Sequence, residues 1–260
     1  MKNLIYQVCV GEKSKLYDFC IKSVERYCKK YNITHIVQTE PILKIVPDIN
    51  STNRSAASFG RFGYLPIYEK ENAFSFLDDY DNIAIVDADI YIKENSPNIF
   101  NEISGYDFAG VVERDMPITQ KYKNKIKNYS LGQYKSLSNI DWKWNDSGAE
   151  FINMGLMLFS KDLKKYLRGD SPKEFIMRKE FKGFVDGLGN WKWSTDQTLL
   201  NYWVKKENMK VKNLSWKWNA LYAAVESQKI NDAYFIHFFL KDHLPEKGEN
   251  IENLIVEIGI

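Results

Sequence analysis

The sequence predicts an α/β fold, a single domain built on a central mixed, mainly parallel sheet flanked by helices. Three stretches carry that expectation. Leu4–Val10, Leu16–Tyr31 and His35–Val37 read as strand, helix and strand in close succession, an opening that implies parallel pairing through a right-handed crossover. Asn82–Ile92 (N-I-A-I-V-D-A-D-I-Y-I) is an apolar run ending in acids, and Phe151–Phe159 (F-I-N-M-G-L-M-L-F) is a second strongly apolar run. Both have the length and β-branched or apolar content of buried strands.

Composition narrows the class. A chain of 260 residues with 44% hydrophobic and 27% charged residues has the make-up of a soluble globular protein with room for one large core. Lys+Arg total 36 against 34 for Asp+Glu, so no overall field draws in nucleic acid. Cys9, Cys20 and Cys28 are an odd set without a C-x-x-C pair, which speaks against a disulfide framework and for a cytoplasmic, reducing compartment. No run resembles a secretory leader or reaches the ~18 apolar residues of a membrane span. A peripheral membrane contact through lysines and aromatic residues stays open, as does the oligomeric state.

Taken in order, Leu4–Val10 ends at Gly11, and the following helix carries Leu16, Phe19, Cys20, Val24 and Tyr27 on one stripe. Ligands of such sheets gather at the carboxyl ends of the strands, which makes Gln7–Gly11, with Val8, Cys9 and Val10, a nucleotide-facing edge. His35, at a strand start, reads as structural. Residues 41–58 are polar and irregular. After Pro66 the apolar residues Ile67, Phe74 and Leu77 take helical spacing, and a D-D-Y-D-N turn leads into the strand of Asn82–Ile92.

Tyr106–Val112 reads as the next strand, ending at Glu113, Arg114 and Asp115. Residues 117–149 form a long basic and aromatic segment with little apolar periodicity. Within it, Lys121–Lys127 suits a solvated helical face, and the whole reads as a functional or mobile loop. Lys161–Leu167 and Ser171–Phe181 read as surface helices. A helix begins at Thr195 behind a Ser/Thr cap signal. Val211–Leu214 is a short strand, and Ala233–Leu240 is the last one, carrying His237.

Chemistry concentrates at Asp87-Ala88-Asp89. Strand alternation points the two carboxylates the same way, and their repulsion grows with burial. A divalent cation between them resolves it, since Mg²⁺ and Mn²⁺ prefer oxygen ligands and are often held by carboxylates and substrate phosphates. A solvated loop start explains D-A-D equally well at this point. His237 alone reads as a core histidine, and Asp196 alone as an acid at a helix start, favoured by the macrodipole.

The order of the motifs adds what each lacks. The chain resembles the family 8 glycosyltransferases, retaining enzymes of the Rossmann-like GT-A fold that use nucleotide sugars. Y-D-N-I-A-I-V-D-A-D-I-Y-I at Tyr80–Ile92 is similar to the family's D-x-D strand, and F-A-G-V-V-E-R-D at Phe108–Asp115 to the strand after it. F-I-N-M-G-L-M-L-F is similar to F-N-x-G-V-M-L, S-T-D-Q-T-L-L-N at Ser194–Asn201 to P-D-Q-D-x-L-N, and W-K-W-N at Trp216–Asn219 to the W-N that follows. I-H-F-F-L-K at Ile236–Lys241 resembles the start of H-F-x-G-x-x-K-P-W. Departures are Leu240 in place of the closing glycine, Lys241 two positions early with His243 at the lysine's place, Thr198 for the second acid of D-Q-D, and Met154 before Gly155.

The resemblance implies one GT-A domain over residues 1–260, with a nucleotide-binding part about 1–115 and an acceptor-binding part about 116–245. It implies a nucleoside diphosphate sugar donor, UDP-hexose being usual, and a glycan or other hydroxyl acceptor. It implies Mn²⁺ or Mg²⁺ held by Asp87, Asp89 and His237, with Val8–Val10, Asp87, Ala88, Asp89, His237 and Lys241 (or His243) around the nucleotide. Asn153, Gly155, Asp87 and either Arg61 or Lys70 then face the donor sugar. Glu113 and Asp115 are placed near the sugars, and Asp196 and Gln197 at the reacting centre. Residues 117–149 and Trp191–Trp193 are the aromatic candidates for acceptor stacking. Three alternatives compete: an inverting enzyme with Asp186 or Asp196 as base, a D-x-D-x-[TV] phosphatase, for which Tyr91 is the wrong residue, and a sugar- or nucleotide-binding protein without catalysis.

Overall fold

The computed structural model describes residues 1–11, 14–48, 50, 52, 54 and 62–259. Its strands are β1 (Asn3–Val8), β2 (Thr34–Gln38), β3 (Asn82–Val86), β4 (Ile90–Ile92), β5 (Phe108–Val112), β6 (Ile152–Ser160), β7 (Val211–Asn213), β8 (Ala220–Leu221) and β9 (Phe235–His237). Its α-helices are α1 (Lys15–Tyr31), α2 (Gln120–Tyr134), α3 (Lys164–Leu167), α4 (Pro172–Ile176), α5 (Lys182–Asp186), α6 (Asp196–Lys206) and α7 (Ile251–Glu257). A 3-10 helix over Pro66–Phe76 lies between β2 and β3.

The main sheet runs β2-β1-β3-β6-β5-β7. β1 pairs in parallel with β2 and β3, and β5 with β7, while β6 is antiparallel to both its neighbours. This is the mixed, mainly parallel sheet expected. All five residues of β3 are buried, and sequestering Ile83, Ile85 and Val86 stabilises by about 1.5–3 kcal/mol each. A second sheet, β4-β9-β8, lies beside it. Ile90 pairs with His237 across its antiparallel β4–β9 ladder.

Several expectations change in detail. Asn82–Ile92 is not one strand: the chain leaves β3 after Val86, turns through D-A-D with the Ile90 amide bonded to the Asp87 carbonyl at 3.1 Å, and re-enters a strand in the other sheet. The turn, not strand alternation, therefore orients the two acids. Residues 117–149 are not a long loop. They contain α2, which buries only Ile126, Ser130, Gln133 and Tyr134, a stripe too thin and too polar to show as apolar periodicity. Trp142 in this segment is core, stacked on Tyr134 at 4.2 Å. Ser171–Phe181 divides into α4 and a 3-10 turn at Lys179–Phe181.

The segment after Pro66 is helical but not amphipathic in the expected sense. Tyr68 through Phe74 are all buried, Glu69, Lys70 and Glu71 included. Glu69 explains its own burial: its carboxylate accepts from the backbone amides of Ile42, Leu43 and Lys44 and from Gln38 Nε2. At the other end of this helix Phe74 packs on Phe175 of α4 (5.6 Å) and Trp203 of α6 (6.0 Å), which themselves pack at 4.4 Å. Each such aromatic pair adds about 0.5–1.5 kcal/mol beyond its buried area. The cluster ties the helix that carries Lys70 to the one that begins at Asp196.

His35 is structural, its Nε2 2.9 Å from Gln7 Oε1. Cys9, Cys20 and Cys28 are free thiols. Among the described residues no helix is long and apolar enough to cross a membrane.

Candidate active site

A cavity of about 540 Å³ opens where the carboxyl ends of β3 and β5, the start of β6, the N-terminus of α6 and the end of β9 meet. Its wall includes Lys70, Asp87, Asp89, Glu113, Asn153, Gly155, Asp196, Gln197 and His237. A groove of about 350 Å³ lined by Val8, Cys9, Val10, Tyr17 and Asp87–Asp89 adjoins it, sharing Lys70, Asp87 and Asp89. Val8–Val10, expected at the nucleotide edge, thus line the groove, Asn153, Gly155, Asp196, Gln197 and His237 line the cavity, and Asp87 and Asp89 line both.

The β4–β9 pairing brings His237 to the acids. His237 Nε2 lies 3.2 Å from Asp89 Oδ1 and 3.8 Å from Asp87 Oδ2. One ligand atom from each of the three residues falls within 4.8 Å of the others. The Phe238 amide donates to the Asp89 carbonyl at 2.9 Å, and the Asp87 amide to the Gly155 carbonyl at 2.8 Å, so both ends of the turn are pinned by neighbouring strands. Gly155 is required by the ring itself: a Cβ there would stand 2.2 Å from His237 Cε1. Gly155 also lines the cavity in which the donor sugar is expected, and the close approach it permits within the fold is that of the imidazole.

Lys70 is the buried cation beside these acids. Its ammonium lies 2.7 Å from Asp196 Oδ2 and 3.0 Å from Asp87 Oδ1, and it donates to the Met154 carbonyl at 3.1 Å. Those two carboxylates outweigh burial and hold its pKa above the usual lysine value. Burial pushes the Asp87 carboxyl up, against the pull of Lys70. Burial acts on Asp89 in the same sense, but the neighbouring His237 ring overcomes it and holds that carboxyl below its ordinary value. Asp89 and Asp87 in turn raise the His237 imidazole despite its burial. Arg61, the other basic residue proposed for this place, lies outside the described residues.

The residues present fit a divalent cation. Two carboxylates and an imidazole form a mixed O/N donor set suited to Mn²⁺ or Mg²⁺. Asp89 Oδ1 is buried, and the atom nearest to it among the charged groups is His237 Nε2 at 3.2 Å. Within the cavity wall Asp87, Asp89, Asp196 and Glu113 face one buried lysine, Lys70, and one exposed lysine, Lys125. That excess of negative charge in a partly buried space favours a cation.

Asp196 is the first residue of α6, behind the Thr195 cap, whose hydroxyl accepts from the Gln197 amide at 3.3 Å. Gln197 Oε1 accepts from the Met154 amide at 3.2 Å, which leaves its NH₂ end for the cavity. Asn153 lines the same wall but is largely committed: its Nδ2 donates to Glu113 Oε2 at 2.9 Å and its Oδ1 accepts from the Gly155 amide at 3.0 Å. Burial raises the Glu113 carboxyl above its usual value, opposed by its bonds from Asn153 and Tyr122. Asp115 is exposed and does not line the cavity.

Other expected residues lie elsewhere. The Lys241 ammonium sits 5.3 Å over the ring of Tyr17, on the rim of the Val8–Val10 groove, and neither it nor His243 lines either depression. Asp186 faces away, its carboxylate taken by Lys182 and the Asp48 amide. Of the tryptophans, Trp144 and Trp193 are exposed and Trp191 packs on Phe184; none lines the cavity. Its aromatic side is Tyr122 and Tyr129 of α2, both within the segment 117–149 expected to offer aromatic faces, together with Phe239, to which sequence reasoning assigned no role. Asn219 and Glu71 were also missed. The W-K-W-N motif was the signal for Asn219; Glu71 left none. A larger cleft of about 690 Å³ at the far end of α6 gathers Lys143, Glu150 and Lys205, both lysines pairing with Glu150.

No family model matches the sequence, and no curated protein matches it. Solved structures do. A glycosyltransferase involved in glycosylation of the major capsid of PBCV-1 aligns over 97% of this chain and 100% of its own, with TM-score 0.53 and 14% identity. The galactosyltransferase LgtC in complex with donor and acceptor sugar analogues aligns over 98% and 95%, with TM-score 0.55 and 13% identity. Mouse xyloside xylosyltransferase 1 in its apo form aligns over 94% and 100%, with TM-score 0.52 and 10% identity. At such identities the likeness is one of architecture, and the architecture of this chain is the GT-A glycosyltransferase fold.

Proposed function

We propose that the chain is a single-domain, metal-dependent glycosyltransferase. It moves a sugar, a hexose from a UDP donor in the most economical version, to a hydroxyl of a glycan or other acceptor with retention of anomeric configuration. The observation that carries the proposal is the convergence of Asp87, Asp89 and His237 at one wall of the cavity that also holds Asp196 and Gln197. Residues 1–115 supply the nucleotide side, and the later part of the chain up to about 245 supplies the acceptor side.

Asp87, Asp89 and His237 hold Mn²⁺ or Mg²⁺. Bound there, the ion supplies electrostatic stabilisation of the diphosphate leaving group. The Val8–Val10 groove takes the nucleoside, with Tyr17 as a flat wall and Lys241 above it. Asp196, held by Lys70, presents its carboxylate to donor-sugar hydroxyls, and the NH₂ end of Gln197 faces the anomeric region beside Tyr129. Asn153 has one amide hydrogen left for the sugar. Tyr122, Tyr129 and Phe239 offer the acceptor the apolar faces on which sugar C–H groups pack.

Retention is supported by the pairing of the two acids in the cavity wall outside the Asp87–Asp89–His237 group: Asp196 is paired with Lys70, and Glu113 accepts from Asn153 and Tyr122. Asp186, considered as an inverting base, is outside it. The test is a thermal-shift screen of UDP-, GDP- and CDP-sugars with and without Mn²⁺, followed by NMR of the product's anomeric configuration. A metal-dependent shift with one nucleotide class is expected. No shift with any donor would remove the central reading, and an inverted product would remove retention alone.

A further inference from the structure

Behind the metal triad the side chains form one unbroken line of hydrogen bonds. Tyr122 Oη donates to Glu113 Oε1 at 3.1 Å, and Asn153 Nδ2 donates to Glu113 Oε2 at 2.9 Å. Asn219 Nδ2 donates to Asn153 Oδ1 at 2.9 Å. Asn219 Oδ1 lies 3.1 Å from His237 Nδ1. Glu113, Asn153, Asn219 and His237 are all buried.

The oxygen and nitrogen of a side-chain amide have nearly the same shape, so the direction of such a line needs an anchor that has only one role. The backbone amide of Gly155 is that anchor. It can only donate, and it donates to Asn153 Oδ1 at 3.0 Å. With that oxygen fixed, Asn153 turns its NH₂ to Glu113. Asn219 must then turn its own NH₂ to Asn153, because two carbonyl oxygens cannot bond each other. The end left for His237 is the Asn219 carbonyl, which can only accept. The ring therefore keeps a proton on Nδ1, and Nε2 is the nitrogen that faces Asp87 and Asp89.

We infer that Asn153 and Asn219 are positioning residues that relay the polarity of the Gly155 amide to His237 and fix its neutral ring as the Nδ1–H tautomer, so that the Nε2 lone pair is ready for a cation. The consequence for metal binding rests on the proposed function; the tautomer does not. A metal-binding histidine whose other nitrogen is held by an acceptor loses about 10–100-fold in metal affinity when that partner is removed.

The experiment is ¹⁵N–¹H correlation NMR of the full chain, labelled at histidine and free of metal, read on the alkaline plateau where the His237 shifts no longer change with pH and the imidazole is neutral. There are three histidines, and His237→Gln identifies the signal that matters. The expected spectrum shows His237 with pyrrole-type Nδ1 and pyridine-type Nε2. The reverse pattern, or the mixture of a free imidazole, overturns the relay. In parallel, Mn²⁺ affinity is measured by electron paramagnetic resonance for the unaltered chain, Asn219→Asp, which keeps an acceptor toward the ring, and Asn219→Leu, which does not. Asn219→Leu is expected to bind about 10–100-fold more weakly and to lose the tautomer preference, with Asn219→Asp closer to the unaltered chain. Equal affinities across folded variants overturn the relay's role in metal binding. A fixed Nδ1–H tautomer in a chain that binds no Mn²⁺ would leave the relay standing and remove the metal reading instead.

Discussion

Gly155 lies so close beneath the ring of His237 that a Cβ on it would stand 2.2 Å from Cε1 and 2.6 Å from Nδ1. Its carbonyl also accepts the Asp87 amide, so one residue of β6 supports both the acid turn and the imidazole. Gly155→Ala is expected to push the ring off the Asp87–Asp89 pair and off Asn219. Overpacking of this kind costs about 1–3 kcal/mol, so the variant should fold with a lowered melting temperature and lose most of its Mn²⁺ affinity. Calorimetric Mn²⁺ titration checks this; unaltered affinity would show that the ring is free to move.

Lys70 neutralises Asp196, whose side chain is only 3% exposed, and it is itself 9% exposed. Removing one partner of a buried pair is costly, about 3–5 kcal/mol. Lys70→Met should therefore lower the melting temperature markedly without metal. Because Asp87 would be released at the same time, added Mn²⁺ should recover more stability in the variant than in the unaltered chain. Melting curves with and without Mn²⁺ decide it, and equal metal-induced shifts would contradict the shared role of Asp87.

Glu71 gives a dependence on pH. Both of its carboxylate oxygens are buried without a hydrogen-bond partner, and burial, aided by the charge of Asp196, raises it well above the glutamate value of 4.5. The folded protein therefore binds a proton here more tightly than the unfolded chain. The stability this lends is complete below about pH 4.5 and is lost as pH rises through the elevated value. Glu71→Gln, neutral at every pH, should melt higher than the unaltered chain at neutral and alkaline pH, with the gap closing toward pH ~4. A gap independent of pH would show that Glu71 does not titrate in this way.

Leu240 stands where the resembled family has glycine, and it keeps a glycine's backbone, with φ 59° and ψ 54°. This conformation costs an ordinary L residue about 1–2 kcal/mol, and with the side chain 49% exposed little burial offsets it. Leu240→Gly should hold or raise the melting temperature. Leu240→Val, branched at Cβ, should lower it. The opposite order would mean that the side chain contributes more packing than its exposure suggests.

Much of this was legible because local signals sufficed. The βαβ opening, the buried runs of β3 and β6, the capped start of α6 and the structural role of His35 follow from periodicity, burial and capping. The Asp87–Asp89–His237 grouping was legible only through the order of motifs, since nothing local in A-Y-F-I-H-F-F-L separates a ligand from a core histidine. What escaped depends on long-range partners. The buried charges of the 3-10 helix at Pro66–Phe76 become tolerable only through the Ile42–Lys44 amides and Asp196. The helix α2 shows too thin an apolar stripe to announce itself. The part played by Asn219 exists only where it meets Asn153 and His237.

The pairing of β4 with β9 also sets an order of events. During synthesis the acid turn leaves the ribosome long before the strand that carries His237, so the nascent protein holds its carboxylates without their imidazole. Lys70, made just upstream, is the counterion available in that interval. The centre can close only once β9 has been made, and on the proposed function a ribosome-bound chain stopped before Phe235 is expected to leave Mn²⁺ free where a chain that includes His237 binds it. Synthesis of β9 thereby gates the assembly of the centre.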